Sequence, residues 1–293
     1  MKYHLIMNPA AGRGRAKKKL AFLKDSFEKQ IGNVDFYQTA TAGDAQKFAE
    51  RLKNSGSIVI AAGGDGTIHE VANGLIGGNC TLGVIPLGTG NDFVKMLNLP
   101  LTIEDAISVI KKENVISIDA GKANDEYFIN GMGIGFDADV VVESQKIQRL
   151  KGFPLYLYAV LRKIFSYQNR RVTIHANGEQ QKRKIFLIVI GNGQYLGGGF
   201  RITPRAELDD GQMDVCILRD LSRLEIVRHL PFAIFGRHLH LRQVNYFRTT
   251  RLIVESAESL PVHLDGEMLG TDLKRIEISV FPGALKVIHH LKK

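Results

Sequence analysis

Residues 57–67 read Ser57-Ile58-Val59-Ile60-Ala61-Ala62-Gly63-Gly64-Asp65-Gly66-Thr67. An unbroken apolar run that ends in glycines and passes into a helical pattern over Thr67–Leu75 describes a buried strand followed by a helix. The same unit recurs on both sides. Upstream, Tyr3–Met7 reads as a strand, Ala16–Gln30 as a helix, Val34–Gln38 as a strand and Asp44–Lys53 as a helix. Downstream, Leu82–Ile85 is a strand, while Asn91–Leu97 and Thr102–Lys111 are helical, the second opened by a Thr102/Asp105 capping pair. Strands that alternate with helices predict an α/β domain with a Rossmann-like parallel sheet over residues 1–120.

Beyond residue 115 the pattern changes to strand-like runs: Val115–Ile118, Tyr127–Asn130, Val172–His175, Ile185–Ile190, Met213–Ile217, Leu252–Glu255, Pro261–Leu264 and Ile276–Val280. Asn177-Gly178 is a two-residue hairpin signal, and Asp209-Asp210-Gly211 and Asp265-Gly266 are turn signals. Pro154–Tyr167 and Ser222–Phe235 read as helices, the latter with a Ser222/Glu225 capping box. An antiparallel β-rich, sandwich-like domain is expected over residues 121–281, with the tail 282–293 packing back onto the first domain. The Gly-rich segment from Gly191 to Gly199 reads as a flexible connection, with a mobile flap as the functional alternative.

Composition narrows the partners. The 293 residues are 44% hydrophobic and carry 39 Lys and Arg against 30 Asp and Glu, a net charge of +9. That balance suits a globular chain with an anionic partner. No helix-turn-helix, zinc-finger or RNP signature is present, so nucleic acid is not expected. No apolar run approaches the ~18–20 residues of a membrane span. The N-terminal apolar stretch is too short for a signal peptide, and Cys80 and Cys216 lack CxxC spacing. A cytoplasmic chain is expected.

Three glycine-rich loops follow three of the predicted strands. They are Asn8-Pro9-Ala10-Ala11-Gly12-Arg13-Gly14-Arg15, Gly63-Gly64-Asp65-Gly66-Thr67 and Pro86-Leu87-Gly88-Thr89-Gly90-Asn91-Asp92. In an open parallel sheet such loops gather at the carboxyl ends of the strands, where ligands bind. Glycine lets backbone N–H groups approach a phosphate, and each following helix offers a positive N-terminus. Asp65 is placed to hold Mg²⁺ or order phosphates, or alternatively to cap the Thr67 helix. Thr89 and Asn91 offer donors to the same anion. There is no G-x-x-x-x-G-K-[ST] and no complete G-x-G-x-x-G after a strand, which excludes P-loop and Rossmann dehydrogenase readings. Leu218-Arg219-Asp220-Leu221 lacks the other protein-kinase motifs.

The set N-P-x-x-G, G-G-D-G-T with Glu70, and P-x-G-T-x-N-D-F resembles the diacylglycerol kinase catalytic-domain family, closest in type to soluble bacterial lipid kinases and related to sphingosine kinases and NAD kinases. The similarity runs on to Leu208-Asp209-Asp210-Gly211 and Leu264-Asp265-Gly266-Glu267. The resemblance implies an NAD kinase/diacylglycerol kinase-like fold and an ATP- and Mg-dependent lipid kinase. ATP would lie between the domains against Asn8, Pro9, Ala10, Ala11, Gly12, Gly63, Gly64, Asp65, Gly66, Thr67, Glu70, Gly88, Thr89 and Asn91, with Thr39 a further nucleotide contact. It implies Glu267 as general base with Asp265 as competitor, and Asp119 in a water-linked Mg²⁺ network. It also implies a second, structural metal on Asp210 and the carbonyls of Glu207 and Gln212. His69 departs from the family pattern, standing where many members have Asn.

The implied partners are a lipid substrate held by the β-rich domain and an anionic membrane surface met transiently, with a homodimer left open. Phosphorylation of a soluble acceptor, as by an NAD kinase, and a non-catalytic nucleotide sensor are the rival readings.

Overall fold

The structure, a computed structural model, describes residues 2–147 and 149–291. It divides into two compact units: the chain up to Ile118 together with the segment from Gly283 onward, and Asp119–Pro282.

The first unit is a parallel sheet. Asp35–Gln38 lies beside Tyr3–Met7, which lies beside Ile58–Gly63, which lies beside Thr81–Pro86. Lys286 and Val287 add a further parallel pairing to Thr81 and Leu82. Leu5, Ile6, Met7 and the run Ile58–Ala62 are buried, which explains their continuous apolar character. Each such large side chain contributes roughly 1.5–3 kcal/mol on burial. The chain leaves Tyr3–Met7 for one neighbouring strand and returns on its other side as Ile58–Gly63. The crevice at the carboxyl ends of these two strands is therefore the topological switch point.

Helices Leu20–Gln30, Asp44–Leu52, Asp65–Leu75 and Ile103–Lys112 belong to this unit. Two boundaries differ from expectation. The long first helix is interrupted at Lys19, whose N–H bonds back only three residues to Ala16, so Arg15–Lys18 forms a separate turn. The helix after the second glycine loop starts at Asp65 rather than Thr67, which places Asp65 in a first helical turn.

The second unit is antiparallel. Its strands run in the spatial order Val244–Thr249, Met213–Arg219, Glu179–Gly191, Gly131–Gly135, Arg251–Leu264 and Glu267–Ile288. Arg170–Ala176 pairs with both Glu179–Gly191 and Arg251–Leu264. The hairpin at Asn177-Gly178 has positive φ at both residues, 53° and 79°, as a type I′ turn demands. Phe128, Met132, Ile134, Ile188, Val215, Val262 and Ile276 belong to the buried core of this sheet system.

Phe136–Gln145, Gly152–Ile164 and Arg223–Ile234 contribute to a second apolar cluster with Phe186, Val189 and Cys216 of the strands. The helix Phe136–Gln145 is absent from the sequence-level pattern. Its Val140-Val141-Val142 run has poor intrinsic helix preference, and burial of Val140 and Val141 overrides it. The Gly191 segment is anchored rather than loose. Asn192 is fully buried, and the N–H groups of Asn192 and Gly193 both donate to the Asn130 carbonyl, at 2.9 and 2.6 Å.

Candidate active site

In the first unit the three glycine loops are one packed assembly. Asn8 joins the first to the second: its Oδ1 accepts from Ala10 N–H at 2.9 Å, and its Nδ2 donates to Thr67 Oγ1 at 3.2 Å. Pro9 is partly exposed, Ala10 is exposed and Ala11 is buried. Gly12 has φ +60°, and a Cβ there would stand 2.8 Å from the Leu87 carbonyl oxygen, so the first loop lies against the third. The Gly63 carbonyl accepts from Leu87 and Gly88 N–H at 2.8 and 3.1 Å. A Cβ on Gly88 would come within 2.5 Å of Gly64 Cα, so the second and third loops touch backbone to backbone.

Asp65 locks this contact. Its carboxylate accepts from the N–H groups of Asn91 and Asp92, at 2.9 and 3.1 Å, and so fixes the start of Asp92–Met96. Burial and the negative charge of Asp92 push the Asp65 carboxyl up to about 6, against the opposing pull of those two N–H groups. Lys95 meets Asp92 at 2.8 Å. Thr89 is exposed, Asn91 takes a left-handed conformation at φ +55°, and Gly66 sits inside the first turn of Asp65–Leu75.

Thr39 and Glu70 stand apart from that lock. Thr39 is buried and its N–H donates to the Met7 carbonyl at 2.9 Å. Glu70 accepts from Gly43 and Ala45 N–H at 2.9 and 3.1 Å, capping the helix Asp44–Leu52, whose own N-cap is a glycine. His69 is buried, and its carbonyl accepts from the Asn73 amide at 3.0 Å.

In the second unit the turn Asp265-Gly266-Glu267 separates the two candidate bases. The Asp265 carboxylate accepts three backbone N–H bonds, from Ile129, Asn130 and Gly131, at 3.0, 2.9 and 2.9 Å. Asp265 N–H donates to the Gly131 carbonyl at 2.8 Å, and the residue holds φ at +50°. Asp265 is thereby a clamp on the turn. Glu267, two residues on, is exposed.

Asp119 and the segment 207–212 come together. Buried Asp119 donates its N–H to the Leu208 carbonyl at 2.7 Å, and its Oδ2 accepts from Gly211 N–H at 2.6 Å. Asp210 Oδ1 accepts from Gln212 N–H at 3.0 Å, while its Oδ2 lies 3.3 Å from Arg248 Nη1. The same guanidinium reaches Asp214 at 3.5 Å, Glu207 at 3.9 Å and the Arg205 carbonyl at 3.0 Å. Arg248 is the positive charge beside this turn, yet Asp210 Oδ2 is buried and accepts no hydrogen bond. The second metal that the resemblance implies would draw on this Asp210 oxygen and on the carbonyls of Glu207 and Gln212. Among the described residues no group of three His, Cys, Asp or Glu side chains forms a metal cluster.

Sequence reasoning missed four polar residues here. Asn192 donates to the Asp119 and Ile129 carbonyls at 2.8 and 3.0 Å. Arg248 carries no local signal, since it meets Asp214 only through cross-strand pairing. Asp137 and His263 pair at 2.7 Å. Asp137 also lines an apolar cavity of about 70 Å³ bounded by Phe136, Tyr156, Val189, Leu196 and Leu230.

Residues 2–123 match the diacylglycerol kinase catalytic domain, and residues 130–289 match the YegS C-terminal NAD kinase beta sandwich-like domain. The chain is 33% identical to a diacylglycerol kinase of Bacillus subtilis over 271 residues, covering 91% of this chain and 89% of that one. The chain belongs to the diacylglycerol kinase family.

A diacylglycerol kinase of Staphylococcus carnosus is 32% identical to this kinase over 270 residues, 91% of this chain and 88% of its own. The crystal structure of a diacylglycerol kinase from Bacillus anthracis superposes with a TM-score of 0.77 at 26% identity, covering 99% of this chain and 97% of that one. Yeast NADH kinase complexed with NADH shares the fold, with a TM-score of 0.59 at 10% identity over 99% of this chain and 84% of its own. The enzyme class is therefore a phosphotransferase, on a kinase fold of an α/β domain and an antiparallel β-rich domain.

Proposed function

We propose that the chain transfers the γ-phosphoryl group of ATP, with Mg²⁺, to the hydroxyl of diacylglycerol or a related lipid. The observation that carries this reading is the junction of three glycine loops at the switch point, locked by Asp65. Backbone N–H groups and the start of Asp65–Leu75 suit a nucleotide's phosphates. Asp65 would hold Mg²⁺, which when bound neutralises charge on the phosphates being transferred.

The lipid acceptor rests on the relatives' names. Glu267 takes the hydroxyl proton while that oxygen bonds to the γ-phosphorus; the bond from phosphorus to the bridging oxygen breaks and ADP leaves. Asp265 keeps the Glu267 turn in place through its three backbone N–H bonds. Asp119 steadies the Asp210 turn.

Because Leu224 on helix Arg223–Ile234, Phe235 just after it and Phe165 just after helix Gly152–Ile164 are 79%, 68% and 65% exposed, the lipid is taken from a membrane surface met peripherally. The test is transfer of label from γ-labelled ATP to a panel of diacylglycerol, other lipid alcohols and NAD. Label in a lipid alcohol, dependent on Mg²⁺, is expected. Label in NAD alone would overturn the lipid assignment.

A further inference from the structure

We propose that His263 and Asp137 form a positioning pair that aims Glu267, an inference that rests on Glu267 being the base. His263 is 1% exposed and sits in strand Arg251–Leu264 opposite Gly133 on one side and Met268 on the other. Its Nδ1 accepts from Gly266 N–H at 3.2 Å, and its Nε2 faces Asp137 Oδ2 at 2.7 Å. Since Nδ1 accepts, the ring proton resides on Nε2 and is donated to Asp137, which fixes both tautomer and ring plane. The carboxylate thus orients the imidazole, and the imidazole holds the middle residue of the turn.

Three features make this more than a satisfied core histidine. The flanking Val262 and Leu264 are buried apolar residues of the core, and an apolar side chain at 263 would fill the same space without needing a partner. The neighbouring strand makes room for the pair: a Cβ on Gly133 would stand 2.2 Å from Asp137 Oδ2 and 2.5 Å from His263 Nε2. The turn is then held twice, at Asp265 by the 129–131 amides and at Gly266 by His263, leaving Glu267 as the next residue. Asp137 also belongs to the wall of the apolar cavity, so one chain of contacts leads from that wall to the base.

The test uses full-length His263→Phe, His263→Gln and His263→Asn. Asn places Oδ1 near the position of Nδ1 and retains an acceptor for Gly266; Gln and Phe do not. A small misplacement of a catalytic group costs up to ~10²-fold in rate. His263→Phe and His263→Gln are expected to lower kcat about 10- to 100-fold with the KM for ATP within about twofold of wild type, and His263→Asn to recover most of the loss. A histidine that only packs would lower the melting temperature, leave kcat per folded molecule unchanged and show no preference for Asn over Gln.

Near-wild-type kcat in His263→Gln, or equal kcat in His263→Gln and His263→Asn, overturns the proposal. Glu267→Gln is measured alongside. If it retains activity, the base assignment fails and this inference with it. If it is inactive while all three histidine variants turn over normally, only the positioning role fails.

Discussion

Asp65 sits where burial and a neighbouring carboxylate oppose its ionisation, raising it from an ordinary 3.8 to about 6. Between those values the folded chain keeps a proton that the unfolded chain has lost. Stability from this residue is therefore greatest below about pH 4, falls as pH rises toward 6, and stays low above that. The difference in melting temperature between wild type and Asp65→Asn should shift against the wild type across this window and level off near neutral pH. A difference that does not change with pH would remove the buried-anion account. Phosphoryl transfer by Asp65→Asn should fall at least ~10²-fold with the circular dichroism spectrum retained. Asp265 and Glu267 divide differently. Asp265→Ala strands three backbone N–H groups and should cost about 3 kcal/mol of stability by denaturant titration, whereas Glu267→Gln should abolish transfer with a melting temperature close to wild type.

At the level of elements, the cross-strand pairing of Met213–Arg219 with Val244–Thr249 sets Arg248 directly opposite Asp214 and over the 207–212 segment. Asp214 is almost wholly buried, and burial pushes its carboxyl up, so loss of the guanidinium leaves a costly unpaired charge. Arg248→Met should lower the melting temperature by several degrees. A Mg²⁺-induced rise in the melting temperature of wild type should be blunted in Asp210→Asn, because a metal that binds only the folded state stabilises it and Asp210 Oδ2 is the buried oxygen without a hydrogen bond. An equal rise in both would remove the metal from this turn. The glycine loops, the Ser222 capping box and the Asn177-Gly178 hairpin were legible because each depends on a few adjacent residues. The helix Phe136–Gln145 was not, because its valines pack against strand residues some fifty positions away, among them Phe186 and Val189.

For the whole molecule, a net charge of +9 accompanies two helices with exposed large apolar side chains, and no helix among the described residues is long and apolar enough to cross a membrane. Part of the basic charge on these helices is already paired: Arg162 meets Glu143 at 3.2 Å and Lys163 meets Asp139 at 3.3 Å. Docking should then draw on the apolar side chains as well as on charge, with each basic residue near an anionic leaflet contributing about 1 kcal/mol. Co-sedimentation with anionic vesicles should exceed that with zwitterionic vesicles and weaken at high salt without vanishing. Equal binding to both vesicle types would remove the electrostatic part of this account.

The sequence by itself determined the alternation that makes the first sheet parallel, the position of its glycine loops, and the motifs that carry the family resemblance. These are properties of short windows, in which periodicity, turn residues and apolar runs act through neighbouring peptide units. The tertiary structure decided what each acid does. Asp265 and Glu267 are two residues apart in one motif, yet one faces the amides of residues 129–131 and the other lies exposed. Asp210 reads as a cation ligand from its turn motif, and only strand pairing brings Arg248 beside it. His263 and Asp137 carry no signal at all until Gly133, on the strand paired with that of His263, leaves space for them to meet. The role of a carboxylate is set by which donors surround it, and those donors come from parts of the chain that only folding brings together.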